Sequence, residues 1–105
     1  MIPIKVFLDD ERTPPDGWVL VRWQDEAIKL LQSGDVTHLS LDHDLGDDRK
    51  GTGYDVLLWI EREIVLRNYV PPENIHVHSA NPAARQRMLA AIESIRGWHL
   101  RPTRE

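Results

Sequence analysis

The chain has 105 residues, of which 41% are hydrophobic and 29% are charged, and its formal net charge at pH 7 is −4. This length and composition predict one domain over residues 1–105 with a single hydrophobic core. The acidic balance argues against binding to duplex DNA, which requires phosphate neutralisation by basic residues. Because the sequence has no cysteine, disulfides, thiolate zinc sites and cysteine nucleophiles are excluded.

The sequence carries no signal for a membrane or an export pathway. No apolar run approaches the length of about 18 residues that a membrane span needs. The N-terminal segment MIPIKVFLDD has a short apolar stretch that runs directly into acidic residues, unlike a signal peptide. We therefore expect a cytoplasmic protein without a membrane partner.

Short apolar runs alternate with longer segments of helical periodicity along the chain. Strands are predicted at residues 4–8, 18–23, 38–41, 75–78 and 99–102, and helices at residues 25–32, 53–67 and 82–97. Asn81 followed by Pro82 is typical of a helix start, and Gly97 is typical of a helix end. This alternation favours an α/β domain with a mainly parallel sheet of four to five strands.

The connection between the first two predicted strands departs from this pattern. Only seven residues, 11–17, separate these strands, and two of the seven are prolines. A parallel crossover normally needs a dozen or more residues. The second strand is therefore either an antiparallel edge strand or is reached by an extended connection without a helix.

Acidic residues follow two of the predicted strands. Asp9 and Asp10 come after the first strand, and Asp42 and Asp44 come after the third. The carboxyl ends of parallel strands meet at one edge of the sheet, so these four carboxylates are expected to lie close together. Clustered carboxylates repel one another unless a cation neutralises them, and oxygen ligands favour magnesium, manganese or calcium. The alternative is that the acids are solvated loop residues.

Histidine and arginine side chains are expected at the same edge. His43 lies between two acids, and His78 ends the fourth predicted strand. An imidazole near a carboxylate is a competent general acid, although each histidine could instead be a packing residue. Arg12 and Arg85 are candidate phosphate ligands, with a solvated helix face as the alternative for Arg85.

Three segments resemble the receiver domains of response regulators. LSLDHDLG matches the phosphoacceptor strand and places Asp42 at the acceptor position, GTGYDVLLW resembles the start of the following helix, and HVHSAN resembles the strand that ends in Ser or Thr and Ala. Two features depart from ordinary receivers. The first receiver helix is missing, and Arg101 stands where receivers carry a lysine.

A narrower family shares these departures. FLDDERTPPDGW, LSLDHDLG and HSANPAAR together resemble the cyclic-phosphate-processing receiver domains over nearly the whole chain. The resemblance implies a small receiver-like (flavodoxin-like) three-layer α/β domain without the first helix. It also implies metal-dependent processing of a cyclic phosphate, either an RNA 2′,3′-cyclic phosphate or a cyclic nucleotide signal.

On this hypothesis the chain is a cyclic phosphodiesterase whose partner is a small phosphorylated or cyclic nucleotide ligand or an RNA end. The implied roles are metal binding (Mg²⁺ or Mn²⁺, with Ca²⁺ as an alternative) by Asp9, Asp10, Asp42 and Asp44, proton transfer by His43 and His78, and phosphate orientation by Arg12, Ser79, Asn81 and Arg85. Two other hypotheses are an atypical receiver phosphorylated at Asp42 and a non-catalytic binder of a cyclic nucleotide.

Overall fold

Residues 3–99 are described by the structure, a computed structural model, and they form four strands and three α-helices. In chain order the elements are β1 (Ile4–Leu8), β2 (Val19–Val21), α1 (Gln24–Leu31), β3 (Val36–Leu41), a short 3-10 helix (Asp48–Lys50), α2 (Gly53–Arg67), β4 (Asn74–Val77) and α3 (Pro82–His99). Over this part of the chain, no helix has both the length and the apolar composition required to cross a membrane.

The four strands form one parallel sheet in the order β2-β1-β3-β4. The prediction of a receiver-like α/β domain with a parallel sheet is therefore confirmed. β2 pairs with β1 in parallel, and the described residues between these strands contain no helix. The extended connection is thus the correct alternative, and the antiparallel edge strand is wrong.

The hydrophobic core lies on one face of the sheet. Val6, Leu8, Leu39 and Leu41 share this face in the strand register and are fully buried. The connections β2-α1-β3 and β3-α2-β4 cross the sheet in the same direction, so right-handed crossovers place both helices on this face. α3 packs against α2 and completes the layer. Helical residues in the core include Ala27, Leu31, Val56, Ile60, Ile64, Met88 and Ile95.

The expected three layers are wrong for the described residues, which form two layers. A helix between β1 and β2 would lie on the second face of the sheet, but an extended segment replaces it. Phe7 on this face is nevertheless mostly buried. It packs edge-on against Trp18 at 6.2 Å and stacks on the His78 ring at 4.3 Å between ring centroids. Two aromatic side chains thus cover part of the face where a helix was expected.

The ends of α3 test two further predictions. The start is confirmed, because Oδ1 of Asn81 accepts a hydrogen bond from the Ala84 amide at 3.1 Å, as an N-cap does. The predicted stop at Gly97 is wrong, since the helix continues to His99. Gly97 is exposed, and a glycine costs a helix only about 1 kcal/mol relative to alanine. Residues 100–102 of the predicted last strand, with Arg101, lie outside the described residues.

Candidate active site

Three carboxylates meet at the carboxyl end of the sheet. Asp9 and Asp42 directly follow β1 and β3, and each continues the strand hydrogen bonding by one residue. The Asp9 amide donates to the Val21 carbonyl at 3.1 Å, and the Asp42 amide donates to the Leu8 carbonyl at 2.9 Å. One oxygen each from Asp9, Asp10 and Asp42 lies within 4.8 Å of the others. We call these three residues the acidic cluster.

Asp9 is the buried member of the acidic cluster, and its carboxylate is held from several sides. Oδ1 accepts hydrogen bonds from the backbone amides of Glu11 and Arg12, both at 2.8 Å. Oδ2 accepts a hydrogen bond from Nε2 of His78 at 2.9 Å, and Nη1 of Arg12 lies 3.7 Å from it. Burial by itself would raise the pKa of Asp9, but these hydrogen bonds outweigh it and lower the pKa. Asp9 is therefore ionised at neutral pH.

Asp42 has the opposite electrostatic environment. Burial and the neighbouring charge of Asp9 raise its pKa, and a hydrogen bond from the His43 amide to Oδ1 at 2.8 Å opposes this only in part. Burial and the second carboxylate thus make the ionised form of Asp42 less favourable than that of a free aspartate. A divalent cation would remove this repulsion, and three carboxylate oxygens are the hard ligands that Mg²⁺, Mn²⁺ and Ca²⁺ prefer. The acidic cluster therefore fits such an ion.

His78 contacts the acidic cluster through Asp9 alone. Nδ1 of its ring lies 2.7 Å from Oγ of Ser40, and Nε2 is bonded to Asp9. Burial lowers the pKa of His78, and the hydrogen bond with Asp9 compensates only in part, so the ring is neutral at pH 7. Nε2–H then donates to Asp9, while Nδ1 accepts the Ser40 hydroxyl proton. Both ring nitrogens are engaged within the protein.

His43 and Asp44 form a separate pair next to the acidic cluster. Nδ1 of His43 lies 2.9 Å from Oδ1 of Asp44. The Asp44 side chain is 61% exposed, whereas that of His43 is 15% exposed. Asp44 lines the same cavity as the acidic cluster, but its carboxylate does not belong to the group of three. The four carboxylates expected from the sequence thus divide into a cluster of three and a histidine-bound fourth.

An open cavity of about 270 Å³ lies over the acidic cluster. Arg12 lines it, and its guanidinium donates to the carbonyl oxygen of His78. Of the described residues, neither His43 nor His78 belongs to the lining, and Ser79, Asn81 and Arg85 are also outside it. The lining consists of Asp9, Asp10, Glu11, Arg12, Asp42, Asp44, Gly46 and Ala80.

The side chains expected to orient a phosphate are engaged in the β4-α3 loop. Oγ of Ser79 accepts a hydrogen bond from the Asn81 amide at 3.1 Å, and the Asn81 side chain caps α3. The exposed Arg85 reaches back to the Val77 carbonyl at 3.5 Å. Together these contacts fix the loop that carries Ala80 to the cavity.

Glu11, Gly46 and Ala80 line the cavity but were missed in the sequence. Gly46 has a φ of 94°, a backbone conformation that favours glycine, so its place in LDHDLG was the available signal. Gly53 is required for a different reason. A Cβ atom at this position would stand 1.9 Å from the Asp42 carbonyl oxygen. Only glycine permits α2 to begin this close to the acidic cluster.

The family comparison agrees with this geometry. The family model described as cyclic-phosphate processing receiver domain matches residues 4–94. The chain belongs to this family. The match spans all four strands and most of α3, and therefore includes the whole acidic cluster. No curated protein and no solved structure matches the chain.

Proposed function

We propose that this domain is a metal-dependent phosphodiesterase that opens a cyclic phosphate, either at an RNA end or in a cyclic nucleotide. The observation that carries the proposal is the acidic cluster, in which the carboxylates of Asp9, Asp10 and Asp42 approach one another at the floor of an open cavity. Membership of a cyclic-phosphate processing family supports the same substrate class.

Asp9, Asp10 and Asp42 would hold the cation, Mg²⁺ or Mn²⁺, with Ca²⁺ as an alternative. When bound, such an ion offsets the negative charge that develops on the phosphoryl oxygens and makes a water molecule more acidic. Asp9 is held for this role by two amides and by His78. We therefore assign His78 to positioning Asp9.

Arg12 would hold the phosphate. Its guanidinium is half exposed, lines the cavity and is oriented by the carbonyl of His78. A guanidinium matches two phosphate oxygens at once, so Arg12 can fix the orientation of the ring that opens. Ser79, Asn81 and Arg85 would support this step indirectly by holding the loop that brings Ala80 to the cavity.

His43 is the better candidate for proton transfer. The sequence analysis named both His43 and His78, but both nitrogens of the His78 ring are engaged with Asp9 and Ser40. His43 is next to Asp42 in the chain but outside the cavity lining, and the pairing of Asp44 with its Nδ1 leaves Nε2 as the nitrogen that would exchange a proton. Opening a cyclic phosphate requires a proton for the leaving oxygen, and an imidazole supplies one near neutral pH. On this proposal, His43→Ala lowers turnover by roughly 10²–10⁴-fold, whereas the metal affinity is kept.

The test is turnover of 2′,3′-cyclic, 3′,5′-cyclic and cyclic oligonucleotide phosphates with Mg²⁺ or Mn²⁺ and with a chelator. We expect cleavage of at least one substrate, loss of cleavage with the chelator, and loss in Asp42→Asn. Asp16→Asn is the matched control, because Asp16 is an exposed carboxylate outside the cavity lining. Intact substrates under every condition would contradict the proposal; tight binding without cleavage would favour the non-catalytic binder.

The second candidate function is an atypical receiver phosphorylated at Asp42. The position of Asp42 at the end of a central strand, beside Asp9 and Asp10, supports it. However, ordinary receivers carry a lysine at this site, whereas the cation among the described lining residues is an arginine, Arg12. Incubation with acetyl phosphate, followed by mass spectrometry of wild type and Asp42→Asn, separates the two functions. A phosphoryl adduct that depends on Asp42 would favour the receiver.

A further inference from the structure

A cationic and aromatic surface lies beside the acidic cluster. The Arg22 guanidinium carbon is 4.6 Å from the centroid of the Trp23 ring, and the Lys50 ammonium nitrogen is 4.5 Å from it. Both distances are within the range of cation–π attraction, which restrains long side chains that would otherwise move freely. We call these three residues the Trp23 patch. It combines the two residues that follow β2 with the last residue of the 3-10 helix.

The two cations of the Trp23 patch form no close ion pair, although the charge of Lys50 acts on Asp47 from a greater distance. Neither Arg22 nor Lys50 forms an ion pair with any residue of the described range 3–99. The adjacent Arg49 differs, because its guanidinium contacts both oxygens of Asp47 at 3.1 and 3.3 Å. Both patch cations are exposed and are therefore available to an anion from outside.

The Trp23 patch adjoins the acidic cavity at Gly46. The position that a Cβ on Gly46 would occupy is 3.2 Å from Nη2 of Arg22 and 3.4 Å from Oδ2 of Asp10. Gly46 lines the acidic cavity, so Arg22 stands at its rim. Beyond the rim lies an open groove of about 370 Å³, lined by Trp23, Gln24, Asp25, Arg49 and Lys50. The acidic cavity and this groove are thus two neighbouring sites of opposite charge character.

We infer that the Trp23 patch binds a second phosphoryl group of the same substrate molecule; this inference rests on the proposed function. A nucleoside cyclic phosphate has a single phosphate, which Arg12 and a metal ion at the acidic cluster would hold. Such a substrate leaves Arg22 and Lys50 unused. A backbone phosphate of an oligonucleotide, or the 5′-phosphate of a mononucleotide, supplies the additional anion. Asp25 and Asp47 both oppose this anion, but Asp47 is paired with Arg49, which leaves Asp25 facing the two patch cations, Arg22 and Lys50.

The test compares three substrates: uridine 2′,3′-cyclic phosphate, the same compound with a 5′-phosphate, and a dinucleotide with a 2′,3′-cyclic end. We expect wild type to have about tenfold higher kcat/KM for a substrate with a second phosphate, the effect of one charge-assisted contact. The double variant Arg22→Gln, Lys50→Gln reduces this preference to about one. Lys29→Gln, an exposed cation on α1, is the matched control and keeps the preference. A preference confined to the 5′-phosphate or to the dinucleotide identifies the source of the second phosphate.

Binding separates this inference from the proposed function. The affinity of a fluorescent short RNA with a cyclic end is measured by anisotropy against the salt concentration. Loss of each cation should reduce the slope of log K against log salt by about 0.7. If no substrate is cleaved but the double variant loses affinity and slope, the proposed function fails and the second phosphate site stands. The inference would be overturned if the double variant kept the affinity and slope of wild type. It would also be overturned if the variant lost equal affinity for substrates with one and with two phosphates.

Discussion

The two faces of the sheet use different side chains for different purposes. On one face, fully buried aliphatic residues such as Leu39 pack against three helices. On the other face, Phe7 packs against Trp18 and His78, and His78 holds Asp9 of the acidic cluster. The comparison teaches that the helical face supplies most of the burial, whereas the open face connects the sheet to the site. Substitutions on the two faces should therefore have different consequences.

The largest expected effect is a loss of stability on the helical face. Leu39→Ala removes a fully buried side chain from a central strand, which should cost about 2–5 kcal/mol of unfolding free energy. Leu20→Ala is the matched control on the open face, because Leu20 is 49% exposed and should change stability by less than about 0.5 kcal/mol. Urea unfolding measures both. Equal losses would refute the assignment of the core to one face.

The next effect links the helical face to the site through Gly53. Gly53→Ala places a Cβ atom against the Asp42 carbonyl, so we expect a loss of about 1–3 kcal/mol together with weaker metal binding. Gly97→Ala is the control, since nothing lies within 4 Å of its Cβ position. Alanine should favour that part of α3 by about 0.5–1 kcal/mol. Thermal melting and metal titration of both variants test this prediction. A Gly53→Ala variant with the stability and metal affinity of wild type would contradict the close approach of residue 53 to the Asp42 carbonyl.

The smallest effect is a pH dependence on the open face. Because burial lowers the pKa of His78 below 6.5, the unfolded chain binds a proton more readily than the folded one. The stability that neutral His78 contributes is therefore present above pH 6.5 and is lost as the pH falls below it. The lowered pKa of Asp9 adds a further loss as the pH falls through its ordinary value of 3.8, while the raised pKa of Asp42 acts in the opposite direction.

Urea unfolding of metal-free protein between pH 7.5 and 5 tests this dependence. His78→Gln should flatten the decline in stability, whereas His76→Gln should retain it, because His76 is an exposed histidine of β4, two residues before His78. A decline that is the same in wild type and His78→Gln would contradict a neutral, half-buried His78.

Much of the acidic cluster was predictable from the sequence. Asp9 and Asp42 follow short apolar runs that favour buried strands, and the parallel topology then brings the strand ends together. The role of His78 was not predictable in this way. Its sequence position indicates the edge of the sheet, but not that its ring stacks on Phe7 and contacts Asp9 and Ser40. The partner of a side chain depends on packing across strands, which alternation along one strand does not encode.

Two other features depended on the same kind of long-range packing. The sequence shows that a helix is missing between β1 and β2, but it does not show that this leaves one face of the sheet without a helix. Similarly, Lys50 lies against Trp23 only because the loop after β3 folds back over the end of β2. No local pattern in either segment marks this contact.

The central claim is that the acidic cluster binds a divalent cation, and the most direct test is a titration of metal-free protein with Mg²⁺ and Mn²⁺ by calorimetry and thermal melting. We expect one ion per chain and, at 100 times the Kd, a stabilisation of about 2.7 kcal/mol. Asp42→Asn should lose most of this gain, whereas Asp16→Asn should keep it. Wild type that neither binds nor is stabilised by millimolar metal, or an Asp42→Asn variant that responds like wild type, would contradict the account.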